Sequence, residues 1–219
     1  MTAPARDIPV GTLPLGDMIV SIDGLPGKML KALAVIAGYL HESYDELPDV
    51  TKGHSKQSCL FSSLAARDFL VEIGFKDATV RPCGLIMRAD GMDNKELHSL
   101  GIGIPGDPPK PEKFNGHAVV TVPQLKLLID TTLYQAIRPA WGGALTGMIA
   151  CEYFPPASIK MFGRSPFAGG ERMLRDRVVG LYWLDRPELR WRREPDFKRT
   201  PRRAAVTRAL IEHFGEWRE

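Results

Sequence analysis

Residues 58–72 read SCLFSSLAARDFLVE. Phe61, Ala65 and Phe69 recur every four residues, Leu60 and Leu64 lie beside them, and Val71 widens the same face. Apolar side chains at that spacing share one side of a 3.6-residue helix and require a surface to pack against. Ser55 or Ser58 can cap its start, and Gly74 is placed to stop its end. With either cap, Cys59 falls in or near the first turn, where unpaired N–H groups and the helix dipole favour negative charge.

On the C-terminal side of this helix the periodicity changes to that of strands. Ala78–Arg81 leads into Gly84–Arg88, with Pro82 between them. Residues 89–115 read as a long irregular loop with four prolines and four glycines. Then come GHAVVTV at 116–122 and LKLLI at 125–129, separated by Pro123-Gln124, which together predict an antiparallel hairpin. On the N-terminal side, Leu30, Leu33, Ala34, Ala37 and Leu40 predict a helix from Met29 to about Glu42, and MIVSI at 18–22 a short strand. Further on, 148–153 reads as a strand, and 178–184 and 189–193 as a second pair. Thr200-Pro201 opens a last helix. Strands and helices are interspersed without a βαβ rhythm or a break in composition, so the expectation is one α+β domain over 1–219.

Composition narrows the class. Of 219 residues 44% are apolar and 25% charged, and 29 basic residues against 26 acidic give a net charge of +3. That balance marks neither a nucleic-acid module nor a membrane binder. Three widely spaced cysteines form no disulfide framework and no CxxC, which fits a reducing cytoplasm. The first residues, MTAPARDIPVG, lack the apolar core of a signal peptide, and no apolar run is long enough to span a bilayer. No close ligand pair points to a metal, and no motif points to an organic cofactor.

Cys59 is the residue with a chemical opportunity. A thiol attacks as thiolate, and a helix N-terminus together with an imidazolium lowers its pKa from near 8.5 to roughly 3.5–7.5. His117 begins the first strand of the predicted hairpin, and Asp130 closes the second. In a hairpin those two ends lie side by side, so Asp130 can accept a hydrogen bond from the ring and fix its tautomer. Cys83 and Cys151 read as buried filler.

The ordered set SCLFSSLAARDFLVEIGFKDATVR, NGHAVVTV and LKLLIDTT resembles the transglutaminase-like superfamily, whose core is shared more distantly with papain-like cysteine peptidases. The resemblance covers about residues 50–135. It implies a nucleophile helix packed on an antiparallel sheet, with Cys59, His117 and Asp130 as a catalytic triad. The activity implied is that of a thiol-dependent hydrolase or acyltransferase acting on a peptide, amide or thioester. The chain departs from the family at Val119, where an aromatic residue is usual, and at Thr131, where proline is usual. These changes leave the triad intact and weigh against transglutamination itself. The resemblance also implies an upstream side chain that assists at the oxyanion, for which Gln57, His54 and Tyr44 are the candidates, in that order of preference.

Two other readings stand beside this one. The first is an inactive interaction domain that keeps the fold. The second, less favoured, is a basic nucleic-acid binder, which rests on residues 186–208, where nine basic residues face three acidic. The same stretch could dock an acidic protein or carrier, or serve as a solvated face with arginine stems over apolar surface.

Overall fold

Short aliphatic runs such as MIVS, HAVVTV, LLID and MIAC are apolar at consecutive positions, which is what a strand covered on both faces requires. In the computed structural model they are central strands of one curled, mostly antiparallel sheet. The structure describes residues 13–90, 97–106, 114–138, 145–153, 159–174 and 177–216. Its nine strands are β1 (Leu13–Leu15), β2 (Met18–Ser21), β3 (Thr79–Asp90), β4 (Leu97–Ile102), β5 (His117–Val122), β6 (Leu127–Asp130), β7 (Met148–Glu152), β8 (Ala168–Leu174) and β9 (Arg177–Asp185). They are ordered β1-β2-β7-β6-β5-β3-β9-β8, with β4 beside β3. Among the described strands β2 and β7 are the one paired couple that runs parallel. The helices are α1 (Gly27–Asp45), α2 (His54–Gln57), α3 (Cys59–Glu72), α4 (Pro195–Lys198) and α5 (Thr200–Glu216). The chain is thus mixed α+β.

Alternation divides the strand side chains between two cores. Met18 and Val20, Val120 and Val122, Leu127 and Ile129, and Met148 and Ala150 meet α1, α3 and α5. Their neighbours Ile19, Val119, Leu128, Ile149 and Cys151 join Leu85, Met87, Leu181 and Trp183 inside the curl. A one-residue slip in β5 or β6 would exchange the two sets, so the register is strongly specified.

The predicted α3 forms over Cys59–Glu72, and Ser58 rather than Ser55 is its cap, its Oγ accepting from Phe61 N–H at 3.3 Å. At its end Gly74 takes φ 110°, which lets Phe75 N–H reach back to Leu70 O at 2.9 Å. The predicted hairpin also forms, with Val120, Thr121 and Val122 opposite Ile129, Leu128 and Leu127. Its turn is a short 3-10 segment at Pro123–Leu125, closed by Lys126 at φ 47°.

Three expectations are corrected. Pro82 does not split the strand before β5: β3 runs unbroken from Thr79 to Asp90. Pro82 O accepts from Arg186 N–H at 3.4 Å just past the last β9 pair, Cys83↔Asp185, so the missing proline N–H falls where that ladder ends. The predicted partner of 178–184 was 189–193, but β9 lies between β3 and β8, and Trp191–Arg193 is a 3-10 turn. The expected irregular loop 89–115 contains the end of β3 and all of β4, paired from Leu85↔Ile102 to Asp90↔Leu97. Residues 91–96 and 107–113 of that loop lie outside the described residues.

Candidate active site

The site is assembled where α3 begins, β5 begins and β6 ends. Cys59 is the first residue of α3, so the N–H groups of its own turn have no intrahelical acceptor. Its Sγ lies 3.8 Å from Gly116 O, and it is 4% exposed. His117 and Asp130 are fully buried, and His117 Nε2 donates to Asp130 Oδ2 at 2.7 Å. Asp130 is held from behind: Trp183 Nε1 donates to the same oxygen at 3.0 Å, and Thr132 N–H donates to Oδ1 at 3.0 Å. Because the carboxylate can only accept, the ring proton sits on Nε2. The other ring nitrogen, Nδ1, is buried without a hydrogen-bond partner among the described residues. It is the nitrogen left for the thiol.

Burial by itself would lower the pKa of His117. The Asp130 charge and hydrogen bond oppose it, Cys59 adds to them, and the net effect is a pKa pushed up to about 10. A proton is therefore held on this ring in the core at neutral pH. Cys83, whose Cα pairs with His117 across the ladder, has its thiol pushed up by burial first and then by Asp130. It stays a neutral packing group. No disulfide joins the three cysteines.

Cys59 opens onto a cleft of ≈ 610 Å³. Its walls are the end of β4 with Gly103, the segment Phe114–Gly116, Gln135 and Arg138, and the Glu194–Arg199 segment. Of the three side chains expected near an oxyanion, Gln57 and His54 line this cleft. Gln57 is exposed, and its backbone carbonyl accepts from Gln135 Nε2 at 2.8 Å. His54 is turned toward Asp196, 3.6 Å away, and Arg199, 3.1 Å away. Tyr44 does not reach the cleft. It is buried with its ring edge-on to Phe61 at 5.0 Å, because α1 carries it into the helical core.

No protein-family model, curated protein or solved structure matches this chain.

Several partners of the site gave no signal in the sequence. Asp196, 138 positions away, accepts a short hydrogen bond from Ser58 Oγ and so clamps the cap of α3. Arg199 pairs with Asp196 at 2.8 Å. Arg203 pairs with Asp68 at 3.3 Å, and Arg186 with Glu188 at 2.6 Å and with Gly103 O. Arg186 thus ties the stretch to Gly103 at the cleft, and Arg203 ties it to α3. His41, buried in α1, joins Ser55 Oγ (2.8 Å) to Thr131 O (3.1 Å), linking the approach to Cys59 with the turn after Asp130. Trp183 could have been suspected only as a large apolar residue in a strand.

Among the described residues no three His, Cys, Asp or Glu side chains converge as metal ligands do. Nor is any described helix long and apolar enough to cross a membrane.

Proposed function

We propose that the protein is a cysteine-dependent acyl-transfer enzyme, a hydrolase or acyltransferase, built on a transglutaminase-like, cysteine-peptidase-like fold. The observation that carries this is the buried Asp130–His117 pair, 2.7 Å apart, whose remaining ring nitrogen is left to a cysteine at a helix N-terminus. A structural cysteine needs neither an oriented imidazole nor an open cleft.

The steps follow from the groups in place. The Cys59 proton rests on His117 Nδ1, where the raised ring pKa keeps it, so the sulfur attacks as the thiolate of an ion pair. Sulfur adds to the carbonyl carbon of an amide or thioester. The oxygen gains the charge and is met by N–H groups of the first α3 turn, with Gln57, which lines the cleft, a side chain able to add a donor. The C–N or C–S bond then breaks, and the leaving amine or thiol takes the proton from Nδ1. Water or an amine next attacks the acyl-thioester, giving its proton to His117, and the sulfur departs as thiolate.

Intact-mass measurement of wild type and Cys59→Ala, after incubation with a peptide amide and with an aryl thioester, tests the reading. An acyl adduct on the wild type alone is the expected result. Iodoacetamide should modify Cys59 faster than Cys83 and Cys151, which are both fully buried. Equal labelling of the three, or labelling only on unfolding, would sink the proposal and favour an inactive interaction domain.

A further inference from the structure

One edge of β3 is shared by two strands in succession. Thr79–Cys83 pair with β5 and Leu85–Asp90 pair with β4, while the opposite edge is taken by β9. β4 and β5 therefore lie in one lane and run in the same direction, with residues 103–116 between them in sequence. The next lane outward is occupied beside β5 by β6, which ends at Asp130. There the chain leaves through Thr131 into the 3-10 turn Leu133–Ala136. Beside β4 that lane holds no strand among the described residues.

That position is part of the Cys59 cleft, which Leu100, Gly101, Ile102 and Gly103 line together with Cys59 and Gly116. The end of β4 is tied directly to the site. A Cβ at Gly103 would overlap the Gly116 backbone, and Gly116 O lies 3.8 Å from the Cys59 sulfur. The sequence of β4, LHSLGI, carries no lysine, arginine, aspartate, glutamate or proline, the residues that usually protect an open strand edge. Main-chain donors and acceptors at strand spacing are matched by another extended main chain, and by neither a nucleotide nor a small acyl donor.

We infer that the outer edge of β4 docks an extended polypeptide segment, which lies in the lane ahead of β6 and delivers a carbonyl group to Cys59. The inference rests on the acyl-transfer reading and narrows its substrate class to polypeptides, bound through their backbone.

The test compares three alkylating probes on the intact wild-type chain. They are acetyl-Ala-Val-Val-Ala chloromethyl ketone, the same peptide N-methylated at both valine nitrogens, and iodoacetamide. The unmethylated peptide should alkylate Cys59 roughly tenfold faster than its methylated counterpart, since the counterpart lacks both valine N–H donors and its methyl groups obstruct pairing with a strand edge. Hydrogen exchange at residues 97–102 should slow in the peptide adduct and stay unchanged in the iodoacetamide adduct. Equal rates for the two peptides, with iodoacetamide still selecting Cys59, would overturn the edge inference alone. Loss of Cys59 selectivity with all three probes would overturn it together with the acyl-transfer reading. A dimer that protects β4 amides without any probe would assign the edge to a second copy and would also overturn the inference.

Discussion

His117 and His41 are both withdrawn from water, at 0% and 5% exposure, yet the fold treats them in opposite ways. Desolvation disfavours the imidazolium in each. At His117 the Asp130 carboxylate outweighs it, and the pKa rises to about 10. At His41 the hydrogen-bonding partners are a hydroxyl and a carbonyl, and burial prevails, with the pKa falling to about 4. Lys56 pushes it the same way, while the Thr131 carbonyl, Asp45 and Asp17 oppose without reversing it. Thr131 O can only accept, so Nε2 of His41 carries the proton and Nδ1 receives the Ser55 hydroxyl. One ring keeps a charge inside the core, and the other is a neutral pin between two loops. Burial sets the cost, and the identity of the nearest acceptor decides the protonation state.

The comparison can be broken first at Asp130. Asp130→Ala leaves His117 buried without its counter-charge and should cost about 3–5 kcal/mol in urea unfolding. The His117 ring, followed by NMR, should then titrate below its ordinary value. A ring still titrating near 10 would show that the carboxylate is not the cause.

His41→Leu removes the pin and leaves the Ser55 hydroxyl and the Thr131 carbonyl unpaired, at about 2–4 kcal/mol. The pH dependence separates the two histidines. The His41 pKa is depressed on folding, so its contribution is present above about 6.5 and is lost as pH falls through about 4. Wild type should therefore exceed His41→Leu in stability by more at pH 7 than at pH 4. The His117 pKa is raised, so its contribution is complete below about 6.5 and is lost as pH climbs through about 10. Stability measured from pH 7 to pH 10 should decline in wild type and decline less in Asp130→Ala.

Smaller changes sharpen the contrast. Trp183→Phe removes one of the donors to Asp130 and should cost about 1.5–3 kcal/mol, because the acceptor is charged. Ser55→Ala removes one neutral hydrogen bond and should cost about 1 kcal/mol. It should also raise the His41 pKa, since the hydroxyl stabilises the neutral ring. Unchanged titration of His41 in that variant would mean that the Ser55 hydroxyl has no part in setting its state.

Elements whose signal is local are legible along the chain. The α3 face from Phe61 to Phe69 and the β5–β6 pairing follow from periods of 3.6 and 2 and from the turn between the strands, and that pairing put Asp130 within reach of His117, 13 positions away. Only the tertiary structure decided the long-range pairings: β4 beside β3, Trp183 against Asp130, Asp196 on the cap of Cys59's helix, and His41 between Ser55 and Thr131. A periodic pattern says which face is buried, not which surface covers it. A buried polar atom finds its partner only when packing brings distant segments to hydrogen-bonding distance, and nothing in the spacing along the chain records that meeting.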